Sequence, residues 1–196
     1  MNKILVTGGA GFIGSHLVEH LSKKNKVVVL DKLMHGNKIR NINKNIKLVK
    51  GDVRDYELVK NCAKNCSTII HLAAILGVDI VSDRNLETME CEFEGLKNVC
   101  EAAKKNNVKK ILYSSSSGVY GKLNYKFNVK EEAIVAPVSA YAIAKRSAEL
   151  YLQNFYIDNK ITSIALRLFN VYGPRQDERM VCLLYTSPSP RDGLLS

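Results

Sequence analysis

The sequence predicts an α/β fold built on a doubly wound parallel sheet. Three observations carry this. Short apolar runs alternate with longer amphipathic stretches, the rhythm of strand, crossover helix, strand. The first apolar run empties into a glycine-spaced turn, Thr7-Gly8-Gly9-Ala10-Gly11-Phe12-Ile13-Gly14. The chain has 196 residues of which 46% are apolar, enough for one packed domain and too few for two large ones.

In order, Lys3 to Thr7 reads as the first strand and Phe12 to Lys24 as the first helix. In that helix Leu17, Val18 and Leu21 recur at the spacing of a face packed on a sheet. Val27 to Asp31 and Ile46 to Lys50 are the second and third strands, with a helix from Asp55 to Asn65 following. Thr68 to Leu72 is the fourth strand and Leu86 to Asn106 the long third helix. Lys110 to Ser114, the helix Ala140 to Tyr156 and the strand Ile161 to Leu168 complete the series. Six parallel strands joined by crossover helices put a ligand crevice at their carboxyl ends. The rhythm holds to Met180, which bounds the domain at residues 1–180. Residues 181–196, with three Ser, two Pro and a Gly, lack periodicity and read as a non-native or disordered tail resembling translated sequencing-adapter read-through.

No apolar run approaches a membrane span and no signal peptide opens the chain, which points to a cytoplasmic protein without a membrane partner. The five cysteines, at 62, 66, 91, 100 and 182, are odd in number and read as reduced thiols. Cys62 and Cys66 fall at i and i+4 on the predicted second helix, yet no CxxC or nearby His completes a zinc site, so no metal is expected. The net charge of +10 is scattered, which argues against nucleic acid and suits an anionic small molecule.

The chemistry begins at the glycine turn. A side chain at Gly8 or Gly11 would bar a pyrophosphate from the backbone N–H groups and the positive end of the helix, while Gly14 lets the helix lie close on the strand. Asp31 ends the second strand, where its carboxylate can accept both ribose hydroxyls of NAD and repel a 2′-phosphate. Lys32 and Arg40 leave NADP open. Asp52, after the third strand, can accept from an adenine amino group, and small Ala73 and Ala74 make room for a cofactor. His71, closing an apolar strand, reads as a packing histidine rather than a catalytic one. Tyr141 and Lys145 stand at i and i+4 of a helix, where an ammonium stabilises a phenolate. The run Tyr113 to Gly121 brings serine hydroxyls to the same edge, and Ser116 is placed to bond the oxygen that Tyr141 deprotonates.

TGGAGFIG, Asp31, HLAA, SSSSGVYG, YAIAK and the segment Arg167 to Arg175 together resemble the extended short-chain dehydrogenase/reductase family, in its nucleotide-sugar epimerase/dehydratase group. The resemblance implies a Rossmann domain whose smaller substrate domain is largely missing. It implies that Phe12 and Ile13 line the pyrophosphate turn, Asp52 and Val53 meet adenine, and Leu72, Ala73, Ala74, Ser114 and Phe169 belong to the NAD site. Tyr141 becomes the catalytic base, Lys145 its partner and a ribose ligand, and Ser116 and Asn170 the contacts to the sugar. The group's 4,6-dehydratases carry an acidic pair after the Ser/Thr, and its decarboxylases commonly a Glu; here Ser117 and Gly118 stand there, which favours 4-epimerisation of a UDP-sugar. A nucleotide-sugar reductase, a UDP-glucuronate 4-epimerase and a non-enzymatic NAD sensor are the alternatives. Glu92 and Leu96 depart from the polar residues usual in their segment, on what the resemblance makes the cofactor side. A homodimer through the third and fourth helices is also implied, although Ala144, Ala148, Leu152 and Phe155 would serve equally as internal core.

Overall fold

The computed structural model describes residues 1–75, 85–122 and 129–177. Six strands, β1 (Lys3–Thr7), β2 (Lys26–Asp31), β3 (Ile46–Lys50), β4 (Thr68–His71), β5 (Lys110–Ser116) and β6 (Thr162–Leu168), form one sheet. Every pairing is parallel and the order is β3-β2-β1-β4-β5-β6. The winding reverses at β1, which pairs with β2 on one side and β4 on the other. The crevice beyond Thr7 and His71 is therefore the topological switch point, where doubly wound sheets bind ligands.

Both faces of the sheet are covered, as a parallel sheet requires. Along β1 and β2 the side chains alternate: Leu5, Val28 and Leu30 enter one core, Ile4, Val6, Val27 and Val29 the other. The first core is closed by α2 (Tyr56–Cys62), α3 (Asn85–Lys105) and α4 (Ala140–Asn159), the second by α1 (Phe12–Leu21) through Val18. Each fully buried Leu, Ile or Val adds about 1.5–3 kcal/mol to this packing. The four described cysteines are free and buried. Among the described residues no helix is long and apolar enough to cross a membrane.

Several expected boundaries shift. The first helix stops at Leu21, not Lys24, and the second at Cys62, where the chain turns away and Asn65 takes a left-handed φ of 60°. Cys66 is therefore off the helix, its thiol donating to the Cys62 carbonyl at 3.5 Å, and the two thiols are not paired on a helical face. β5 runs two residues further than expected, because β6 pairs with it as far as Ser116↔Leu168. Ala144, Ala148, Leu152 and Phe155 are all buried, and the last three join the core against the sheet. That face of α4 is internal and is not a dimer surface. The expected tail, residues 181–196, lies outside the described residues.

After β6 the chain returns across α1. Arg175 forks onto the Glu19 carboxylate at 2.8 and 3.0 Å, and His16 Nε2 lies 2.9 Å from the Pro174 carbonyl oxygen. The guanidinium of Arg175 and the backbone N–H groups of Arg40 and Asn41 hold Glu19 down to about 2. The folded value is depressed, so this tie is complete above the ordinary carboxylate value of 4.5 and is lost as pH falls toward 2. The protection of the amides in residues 173–177 relative to intrinsic exchange is expected to fall across that interval, and Glu19→Gln to abolish this pH dependence of protection.

Candidate active site

The glycine turn sits at the switch point. Gly8 has φ +69°, and a Cβ there would lie 2.6 Å from the Ala73 backbone nitrogen, so the turn and the end of β4 touch backbone to backbone. A Cβ on Gly14 would meet the Gly8 carbonyl oxygen at 2.4 Å, which fixes glycine where the helix leaves the turn. Gly11 differs: its Cβ would meet only the Gly8 oxygen, at 3.4 Å. The protein's own atoms thus leave room for a side chain at Gly11. No side chain caps α1, whose first N–H groups face the same space. Phe12 and Gly11 are half-buried there, and Ile13 is exposed. This uncapped helix end beside a bare glycine fits the pyrophosphate of a dinucleotide.

Asp31 closes the turn from β2. It accepts from Ala10 N at 2.9 Å through one carboxylate oxygen and from Leu33 N at 2.8 Å through the other. Each oxygen keeps a further acceptor site for a ribose hydroxyl. Asp52 is more heavily engaged than its sequence position suggests. Arg54 bonds it through Nε and Nη2, the latter at 2.7 Å, and Lys32 approaches to 3.2 Å. The Arg54 guanidinium holds its carboxyl well below the usual range. Val53 beside it is buried and packs against Gly95, while Leu72, Ala73 and Ala74 line the end of β4 half-buried.

Tyr141 and Lys145 share one face of α4, which begins at a Ser139 cap accepting from Ala142 N. The Lys145 ammonium lies 5.5 Å from the Tyr141 ring centroid and 4.7 Å from that of Tyr113, and donates to the Ser114 carbonyl oxygen at 2.8 Å. Sequence reasoning missed its other partner. Glu92 of α3 is fully buried, with Oε1 2.9 Å from Lys145 Nζ and Oε2 accepting the Tyr113 hydroxyl at 2.8 Å. Glu92 therefore faces the core side of the lysine, and Leu96, 2% exposed, lies in the apolar core rather than on a cofactor surface. Burial, with the Glu92 charge beside it, pushes the Tyr113 phenol far up and leaves it a hydrogen-bond donor.

The serines of β5 divide by face. Ser115 is buried and donates to Glu149 at 2.6 Å; Ser114 donates to the His71 carbonyl oxygen at 3.2 Å. Ser116 accepts from Gly118 N at 3.1 Å, capping a single 3₁₀ turn, Ser117–Tyr120, and a hydroxyl that accepts still has its own proton to give. Glu149 also takes Arg146 and both ends of the Arg167 fork. Burial works to raise it, and the bonds from Arg167, Ser115 and Arg146 together outweigh burial and hold it low. Phe169 and Asn170 lie exposed past β6, with the Phe169 ring 6.2 Å from that of Tyr120.

His71 is buried, with Nδ1 2.6 Å from the Thr7 hydroxyl oxygen and its ring stacked on Tyr113. Burial, helped by the Lys145 charge, pushes it down to about 3. It stays neutral in the fold while an unfolded histidine takes a proton below about 6.5. Stability is expected to fall as pH drops from about 6.5 toward 3, and the slope to be smaller in His71→Asn, as read by denaturant midpoints against pH.

A profile described as the NAD dependent epimerase/dehydratase family matches residues 4–187. The chain belongs to that family. It is 38% identical, with a TM-score of 0.85, to a UDP-N-acetylglucosamine 4-epimerase from Methanobrevibacter ruminantium solved with UDP-N-acetylmuramic acid; the match covers 90% of this chain and 57% of that one. With a UDP-glucose 4-epimerase of Thermus thermophilus complexed with NAD the identity is 34% and the TM-score 0.82, over 90% and 58% of the two chains. A dTDP-D-glucose 4,6-dehydratase of Dictyostelium discoideum is 35% identical over 90% of this chain and 45% of its own length. This family member spans about half the length of the curated relatives it matches.

Proposed function

We propose that the chain is the NAD-binding part of a nucleotide-sugar 4-epimerase acting on a UDP-sugar. The observation that supports this is the Lys145 ammonium lying 5.5 Å from the Tyr141 ring and bonded to the Ser114 carbonyl of β5, the strand that Ser116 ends. The uncapped glycine turn two strands away at β1 supplies the cofactor's place in this reading. NAD bound there supplies a reversible hydride acceptor, so that the sugar passes through a 4-keto state and returns with C4 inverted. Tyr141 takes the proton of the sugar 4-hydroxyl and later returns it, Lys145 lies beside its ring, and Ser116 donates to the same oxygen. Asp31 receives the adenosine ribose and Asn170 faces the sugar.

Dehydration is the second reading that relatives offer, and the 3₁₀ turn speaks against it. Ser117 and Gly118 bring no carboxylate beside Ser116, and Glu149 is spent on Ser115, Arg146 and Arg167. A domain limit near residue 180 and a cytoplasmic setting belong to the same reading. The test is a panel of UDP-sugars assayed for C4 inversion by the complete protein, after NAD binding is measured. NAD binding without inversion of any sugar would sink the epimerase assignment.

Gly11 isolates the cofactor's contribution. In Gly11→Ala, stability is expected to stay within about 0.5 kcal/mol, because the backbone is at φ −76° and the Cβ contact is 3.4 Å. NAD affinity is expected to fall at least about tenfold, since the methyl group occupies the pyrophosphate's approach. Calorimetric titration and chemical denaturation of the same variant separate the two effects.

A further inference from the structure

The lysine of the site is not a lone cation. Its side chain is 1% exposed, and the Glu92 carboxylate 2.9 Å from the ammonium is fully buried and anchored by the Tyr113 hydroxyl. Two opposite charges so close act at a distance as a dipole, and the field of the pair falls off faster than that of the ammonium alone. We propose that Glu92 is a positioning residue: it pins the Lys145 ammonium between α3 and β5 and offsets its charge at the Tyr141 phenol.

The surroundings leave this pair to set the local field. From β4 comes His71, neutral across the working range; from β5 comes Tyr113, a neutral donor; from α3, beside Glu92, comes Cys91, whose thiol burial raises to about 11. Glu149 on α4 is neutralised by Arg146 and Arg167. Removing the charge of Glu92 while keeping its shape leaves an uncompensated ammonium 5.5 Å from the Tyr141 ring. The inference rests on the reading of Tyr141 as the proton-transferring phenol, but its test needs no substrate.

The experiment is an alkaline titration of phenolate absorbance, with the signal of Tyr141 isolated by subtracting the matching Tyr141→Phe protein in each background. In Glu92→Gln the midpoint of that signal is expected to move down by about one pH unit or more relative to the unsubstituted protein, because the ammonium then acts on the phenol without its counter-ion. An unmoved midpoint overturns the proposal and leaves Glu92 a packing residue. Should Glu92→Gln not fold, Glu92→Met/Lys145→Met decides, because an apolar pair can replace a buried ion pair at little cost. A midpoint within about half a unit of the unsubstituted protein supports the offset; a rise of about a unit or more means that the ammonium acts unopposed, and overturns it. A failed sugar assay with a shifted midpoint would sink the function and leave Glu92's role standing.

Discussion

Lys145→Met is expected to destabilise the protein by about 3–5 kcal/mol, far more than the loss of an exposed lysine. The reason is Glu92, which is fully buried and would lose the cation 2.9 Å away. An orphaned carboxylate at that depth must take up a proton or draw in water, and either costs free energy. Replacing both partners by Met should recover most of the loss, to within about 1–2 kcal/mol of the unsubstituted protein. Urea denaturation of the single and double variants checks this. A loss below about 1 kcal/mol in Lys145→Met would mean that the pair is not a buried ion pair in solution. The consequence for enzymology is practical: a lysine knock-out at this site reports on folding as well as on chemistry.

Tyr141→Phe is expected to behave in the opposite way. The ring is half-buried at the start of α4, and its contact with Lys145 at 5.5 Å survives the loss of the hydroxyl. Stability should remain within about 0.5 kcal/mol and NAD binding should persist. On the proposed function, C4 inversion by the complete protein should fall by about 10²–10⁴, the usual worth of a positioned proton-transfer group. Turnover within about tenfold of the original would place the base elsewhere. The two variants together separate the proton-transferring group from the group that holds its environment.

Much of the site was legible because its signals are local. The glycine spacing of the turn, Asp31 at a strand end and the i, i+4 placement of Tyr141 and Lys145 each follow from the period of one element and the turn beside it. The alternation of runs was enough for the parallel sheet, and the order around β1 agrees with double winding. Boundaries were less legible, since they depend on partners: β5 continues to Ser116 only because β6 lies alongside, and α2 ends at Cys62 where Asn65 leaves the helical region.

What the sequence by itself determined is the fold class, the glycine turn at the switch point and the placement of Tyr141 and Lys145 on one face of α4. Only the tertiary structure decided what those side chains are bonded to. Glu92 looked like an odd acid on a cofactor-facing helix and is instead the buried counter-ion of Lys145. Asp52, read as an acceptor for adenine, is forked by Arg54, and the α4 face for which dimer surface and internal core were both open is internal core. The physical reason is one of range: backbone periodicity is written in neighbouring residues, whereas the pairing of a buried charge is set by whichever distant element packs against it, and burial is what makes that pairing obligatory.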